Sequence, residues 1–186
     1  MTDYTRAMIK KFGIERLPRF ISKGIYGSYV GCLEGYKRDA QGKIVQHIRD
    51  YNLITDHGKQ DILELFYAGI GGNFDHLYLG LANSAIVASS LLGNIIEVAG
   101  QGYSRSTLSR DTLSWPSRGI VGSDWVIQSS SMTFQATGSW TTANYAFLCS
   151  VSQGTQGRLW NFVALSAPVS LMAGEQFTYS YKITLR

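Results

Sequence analysis

The stretch GEQFTYSYKITLR, from Gly174 to Arg186, constrains this chain more than any other. Phe177, Tyr179, Tyr181, Ile183 and Leu185 fall on one parity, and Thr178, Ser180, Lys182, Thr184 and Arg186 on the other. Strict alternation of this kind predicts a β-strand with one buried and one wet face. End residues usually fray, so a strand pattern that runs to the last residue predicts a segment held inside a sheet.

Composition extends that reading to the whole chain. The 186 residues are 45% hydrophobic and only 16% charged, which excludes global disorder. Tyr and Gly, at 11 and 20 residues, stand out over helix formers, so a mostly β fold is expected. A chain of this size buries roughly 70% of its unfolded surface and needs no covalent staple. Two cysteines, Cys32 in YVGCLEG and Cys149 in YAFLCSV, make no disulfide framework and read as buried thiols in apolar strands. Their spacing does not decide whether they meet. MTDYTRAMIKKFG has no apolar run behind its charged start, so no signal peptide is expected. No apolar stretch reaches membrane-spanning length, and a soluble protein made in a cytoplasm is expected.

Charge is distributed unevenly. Residues 1–50 hold 10 Lys and Arg against 5 Asp and Glu, whereas the remainder is close to neutral. Within residues 1–28 no clean period appears, and Gly13, Pro18 and Gly24 punctuate the segment. It reads as a basic arm in which Phe12, Leu17 and Phe20 are apolar anchors among Arg6, Lys10, Lys11, Arg16, Arg19 and Lys23. Residues 29–186 read as one β domain. Residues 29–51 predict a hairpin turning at RDAQGK, and TDHGKQDILELFYAG predicts a short helix over roughly 57–68, with Thr55 or Asp56 as N-cap. FDHLYLGLA predicts a strand with Leu77, Leu79 and Leu81 on one face. A long loop with a short helical turn follows. Further strands are expected near 103–110, 124–136, 143–151, 157–166 and 175–186. The expected fold is an antiparallel β-sandwich, jelly-roll-like, with one helix and an N-terminal arm.

Signals for catalysis are weak. His47, His57 and His76 each lie near an acid, but adjacent residues on a strand point to opposite faces, so neither Asp56–His57 nor Asp75–His76 is preset to hold a metal. No G-x-S-x-G occurs, and GIGGNF follows its helix instead of preceding it, so it cannot cradle a phosphate at a helix N-terminus. The 13 acidic residues are scattered singly and suggest no glycosidase pair. No catalytic residue, metal or cofactor is expected. The arm interleaves cations with Phe12, Phe20, Tyr26 and Tyr29, as nucleic-acid binders do, yet no reading helix or RNP-like strand follows. A solvated tail or a protein-docking arm is expected instead. Of the four tryptophans, Trp125 and Trp160 lie in apolar strands and read as core. Trp115 in TLSWPSRG and Trp140 in TGSWTTAN have turn-like surroundings, which make them candidates for a surface interface or a glycan-stacking platform.

From Asn52 onwards, about three quarters of the chain resembles a domain of tailed-bacteriophage virion proteins. The resemblance rests on the N-L-I-x-x-x-G entry of NLITDHGKQDILELFYAG and on LYLGLA, from Leu77 to Ala82. It continues through LLGNIIEVAGQGYSRSTLS, GSW…YAFL from Gly138 to Leu148, and LWNFVALSAPVSLMAGEQ, and ends in FTYSYKITL. Such proteins serve as capsid cement or decoration proteins and as tail, baseplate, neck or fibre components. The resemblance therefore implies a non-enzymatic virion part. Its expected partners are the major capsid protein and copies of itself, as a homotrimer at the capsid surface. The basic N-terminal segment departs from shorter members, and the arm residues named above are the expected contacts to the shell or a neighbouring subunit. The rival expectation is a receptor- or carbohydrate-binding module.

Overall fold

The computed structural model describes residues 29–58, 76–121 and 124–185. Eleven strands form two antiparallel sheets packed face to face: β1 (Tyr29–Arg38), β2 (Ile44–Tyr51), β3 (Leu53–Ile54), β4 (His76–Ala82), β5 (Ser106–Ser109), β6 (Ser117–Val121), β7 (Asp124–Gln128), β8 (Met132–Gln135), β9 (Ala143–Cys149), β10 (Leu159–Val169) and β11 (Gln176–Leu185). The front sheet runs β2-β1-β11-β7-β6, with β8 also paired to β11, and the back sheet runs β3-β10-β9-β4-β5. The expected sandwich is what the described chain forms, although these strand orders do not spell out a jelly-roll wrapping.

The alternating strand sits at the centre. β11 pairs with β1 over ten residues, from Tyr29↔Leu185 to Arg38↔Gln176. On its other side it pairs first with β8 and then with β7. Phe177, Tyr179 and Tyr181 point inward at 0%, 1% and 2% exposure, so the period-2 pattern marks the core face as expected. Each such aromatic contributes about 1.5–3 kcal/mol through burial. Leu33, Ile48 and Phe134 complete this face. From the back sheet, Leu77, Leu79, Leu81, Ala146, Leu148, Val163 and Leu165 meet them. A second, smaller core lies on the far side of the back sheet. There Ile86 and Leu92, from the loop after β4, cover Ala82, Phe147, Cys149, Leu159 and Phe162.

Local chemistry explains several boundaries. In the β1–β2 turn, Asp39 Oδ1 accepts N–H bonds from Gln41 at 3.0 Å and Lys43 at 2.8 Å. Thr55 Oγ1 accepts the Gly58 N–H at 3.1 Å, the expected N-cap bond. A helical turn starts at Asp56; residues 59–68 of the expected helix and residues 1–28 lie outside the described residues. The strand expected over 124–136 is two strands. Tyr181 N–H bonds to the Ser129 hydroxyl at 2.8 Å, so a side chain takes a backbone carbonyl's place and the ladder breaks between β7 and β8. β10 runs past residue 166 because β2 side chains supply the partners lost on β9. Asp50 Oδ2 accepts the Ser166 N–H at 2.7 Å, and Gln46 Nε2 donates to the carbonyls of Ala167 and Pro168, each at 3.2 Å. The short strands β3 and β6 have no counterpart in the sequence expectation.

Two glycines make room for large aromatics. A Cβ on Gly35 would run into the Phe177 ring, and one on Gly80 into the Phe147 ring. The Gly35→Ala substitution is therefore expected to destabilise by about 1–3 kcal/mol through overpacking. Each kcal/mol lowers Tm by about 2–4 °C in a domain of this size. Thermal denaturation followed by circular dichroism measures it, and an unchanged Tm would contradict the close packing.

Candidate functional site

The described candidate residues fall on one face of the sandwich, in its core and in its loops. Among them, no three His, Cys, Asp or Glu side chains gather into a possible metal site. His47 stacks on Tyr36 with ring centroids 4.5 Å apart and shares a 3.1 Å contact with Glu34. His76 Nδ1 lies 3.2 Å from the Ser109 hydroxyl.

Trp115 and Trp140 correct the surface reading given to them. Both are 7% exposed and belong to the main core. The Trp115 indole N–H donates to the Ser109 carbonyl at 3.0 Å, and that of Trp140 to the Gln101 carbonyl at 2.8 Å. Trp140 also packs edge-on against Tyr103, at 5.3 Å between centroids, and against Phe134, at 5.9 Å. A turn-like sequence signalled exposure, but these turns fold their indole inward and satisfy its N–H on a nearby carbonyl. Neither ring presents a face to a glycan. Trp160, expected in the core, is half-buried against it. The arm residues Arg6, Lys10, Lys11, Phe12, Arg16, Leu17, Arg19, Phe20 and Lys23 all lie outside the described residues.

Sequence reasoning missed a buried ion pair. The Arg105 side chain is only 2% exposed and pairs with Glu97 through both Nε and Nη2. Nη1 donates to the Val151 carbonyl at 2.7 Å and Nη2 to that of Gly154 at 2.8 Å, and the guanidinium stands 5.6 Å from the Phe147 centroid. Tyr103 joins the cluster through its hydroxyl, which donates to Glu97 at 2.9 Å and accepts the Leu81 N–H at 2.8 Å. Burial, which favours the neutral form, is outweighed by the Glu97 carboxylate, so Arg105 holds its proton more tightly than usual. Burial pushes the Tyr103 hydroxyl far above its ordinary value. One arginine thereby ties the loop after β4 to the β9–β10 loop. In the sequence Glu97 stands eight residues before Arg105, but no periodic or motif signal pairs the two, and the carbonyl partners lie far away.

The outer face of the front sheet carries a group of polar side chains. Glu34 accepts from the Tyr36 hydroxyl at 3.0 Å, and that bond, more than burial, pushes the Tyr36 phenol up. Gln128 donates to the Ser180 hydroxyl at 3.2 Å, and Thr133 and Thr178 share a 2.9 Å bond. Cys32 lies on this face and Cys149 in the second core behind the back sheet. Both sheets stand between the two thiols, and both cysteines are free. Burial raises both thiols above their ordinary value. Glu34, Tyr36, His47 and Arg49 alternate on paired strands, so this face was open to sequence reading once the hairpin register was fixed.

Exposed apolar side chains are spread over the described surface, from Val45 of β2 to Met172. Ile120 and Val121 of β6 are each 63% exposed, and Leu113 in the preceding turn is 84% exposed. No protein-family model matches the chain, and no curated protein matches it.

Two substitutions check these clamps. Arg105→Met strands Glu97 and two carbonyls without their donor, and a stability loss of about 3 kcal/mol or more by urea denaturation is expected. A loss under about 0.5 kcal/mol would mean that the pair is dispensable. At the other end of β11, Lys37 Nζ lies 2.9 Å from Glu175 Oε2. Partial burial alone would raise the Glu175 carboxyl, but Lys37 and the Met172 N–H outweigh it and hold it below the usual glutamate range. A depressed carboxyl stabilises the fold above its unfolded pKa and loses that contribution as pH falls through the folded value. Lys37→Met is thus expected to cost less than about 1 kcal/mol at pH 7. The two proteins should converge in stability as acidification protonates Glu175, and a gap that stays constant through the acid limb would refute the pairing.

Proposed function

We propose that the chain is a non-enzymatic structural protein of a tailed-bacteriophage virion, acting as capsid cement that bridges neighbouring major capsid subunits. One observation carries the reading: the basic segment, residues 1–28, is continuous with the strand that pairs longest with the centre of the sheet. Tension on that segment passes into β1, whose ten-residue register with β11 bears it in shear. A ladder loaded along its length shares the force among many hydrogen bonds at once. The anchors Phe12, Leu17 and Phe20 would bury against the shell while Arg6, Lys10, Lys11, Arg16, Arg19 and Lys23 pair with its acidic surface. A homotrimer suits the local threefold axes of an icosahedral shell. No described helix is long and apolar enough to cross a membrane.

Copy number in purified particles tests the reading. A ratio to the major shell subunit near that of a decoration protein supports the cement role, whereas a handful of copies per particle places the chain in the tail, baseplate or neck. Absence from the particle overturns both. Deleting residues 1–25 is expected to abolish shell binding while the remainder stays folded, and undiminished binding would refute the arm mechanism.

A further inference from the structure

We propose that residues 85–95 form a lid that swings off the second core and uncovers the Cys149 thiol, closing on a frame that Arg105 holds in place. The segment is an Ω-loop, a compact excursion whose ends meet. Asn83 and Ser84 both direct their N–H groups at the Ile96 carbonyl, at 2.8 and 3.4 Å, and the Ile96 N–H returns to the Ser84 hydroxyl at 2.9 Å. Beside this neck, Ala82 and Glu97 form a β-bridge. The neck therefore stays joined while the tip moves.

Polar bonds inside the tip close on the tip itself. The Val87 N–H donates to the Ser90 hydroxyl at 3.0 Å, the Ser90 N–H to the Val87 carbonyl at 2.9 Å and the Asn94 N–H to the Leu91 carbonyl at 3.0 Å. These bonds survive a rigid swing and do not keep the lid shut. The Ala88 carbonyl accepts the Asp56 N–H at 3.1 Å, a tie that a swing breaks. Ile86 and Leu92 supply the apolar hold, buried against Ala82, Phe147, Cys149, Leu159 and Phe162. Val87 and Leu91 face outward at 58% and 49% exposure and add little. A segment fastened mainly by two buried side chains opens at a lower free energy than the sheet beneath it.

The frame is better secured. Arg105 bonds Glu97 beside the neck and the carbonyls of Val151 and Gly154 in the β9–β10 loop. The base of that loop is closed by the Ser150 N–H on the Arg158 carbonyl at 3.1 Å and the Arg158 N–H on the Ser150 hydroxyl at 2.9 Å. Lid and frame meet along a seam, where a Cβ on Gly93 would lie 3.8 Å from the Thr155 Cβ and one on Gly157 would stand 3.0 Å from Leu92. Cys149 lies beneath the lid, fully buried, with its thiol donating to the Val151 carbonyl at 3.3 Å. The lid does not depend on the virion reading.

Thiol labelling of the full chain tests it. N-ethylmaleimide is applied to a Cys32→Ser protein across low urea concentrations, and modification of Cys149 is read by peptide mass spectrometry. Hydrogen exchange is followed in parallel at residues 177–183 of β11. Cys149 is expected to label with a shallow urea dependence, because opening a lid exposes little surface, while β11 exchange rises steeply with urea. Leu92→Ala should speed the labelling about tenfold or more. The pair Gly93→Cys, Thr155→Cys has the Cβ spacing that suits a disulfide. Oxidised, this variant should label Cys149 about tenfold more slowly than when kept reduced, with the steep urea dependence of β11. Cys149 labelling that follows β11 exchange at every urea concentration would overturn the proposal, since the thiol would be reached only by unfolding the sandwich. So would an unchanged rate in Leu92→Ala, or shallow labelling that the disulfide does not slow.

Discussion

The ten-residue pairing of β1 with β11 is the constraint from which the rest of the fold follows. It sets Phe177, Tyr179 and Tyr181 on one face and leaves Thr178, Ser180 and Lys182 on the other. A one-residue slip would turn every aromatic out to water and bring the polar side chains into the core. The cost of that exchange, several buried aromatics at about 1.5–3 kcal/mol each, makes the register effectively unique. Gly35 adds a second lock. It stands opposite Tyr179 and under the Phe177 ring, so only a residue without a side chain fits that point of the ladder.

With that strand fixed, the polar side chains act as fasteners between elements that backbone ladders do not join. Gln46 and Asp50 close one flank of the sandwich onto β10. Ser129 holds β7 and β8 end to end along β11. Arg105 fastens two loops over the second core. These contacts share one feature: the partner lies far away in sequence and is most often a backbone carbonyl or N–H. Directed bonds of this kind contribute modest net energy, but losing one partner leaves the other desolvated. They specify where loops sit more than they add stability.

The same distinction explains what the sequence disclosed. Period-2 alternation made β4 and β11 plain, and turn chemistry at Asp39 and Thr55 located a hairpin and a helix start, because each signal lies within a few residues. Trp115 and Trp140 were misread because their neighbours suggested turns, and no local signal tells whether a turn points its indole in or out. Arg105 was invisible for a related reason: Val151 and Gly154, whose carbonyls it bonds, lie more than forty residues away and contribute only backbone. β6 escaped notice because SRGIV is short and follows a proline, so its pairing with β7 is a property of the sheet more than of its own residues.

Charge divides the chain along another line. Residues 1–28 hold six basic and two acidic side chains, which equals the net +4 of the whole, so residues 29–186 are neutral on balance. Attraction of exposed cations to an acidic surface fades beyond about 8 Å at physiological ionic strength. On the proposed reading the six cations would steer an encounter, but surface ion pairs worth about 0–1 kcal/mol each hold poorly. On the proposed cement reading, retention would therefore have to come from apolar burial, the part assigned there to Phe12, Leu17 and Phe20.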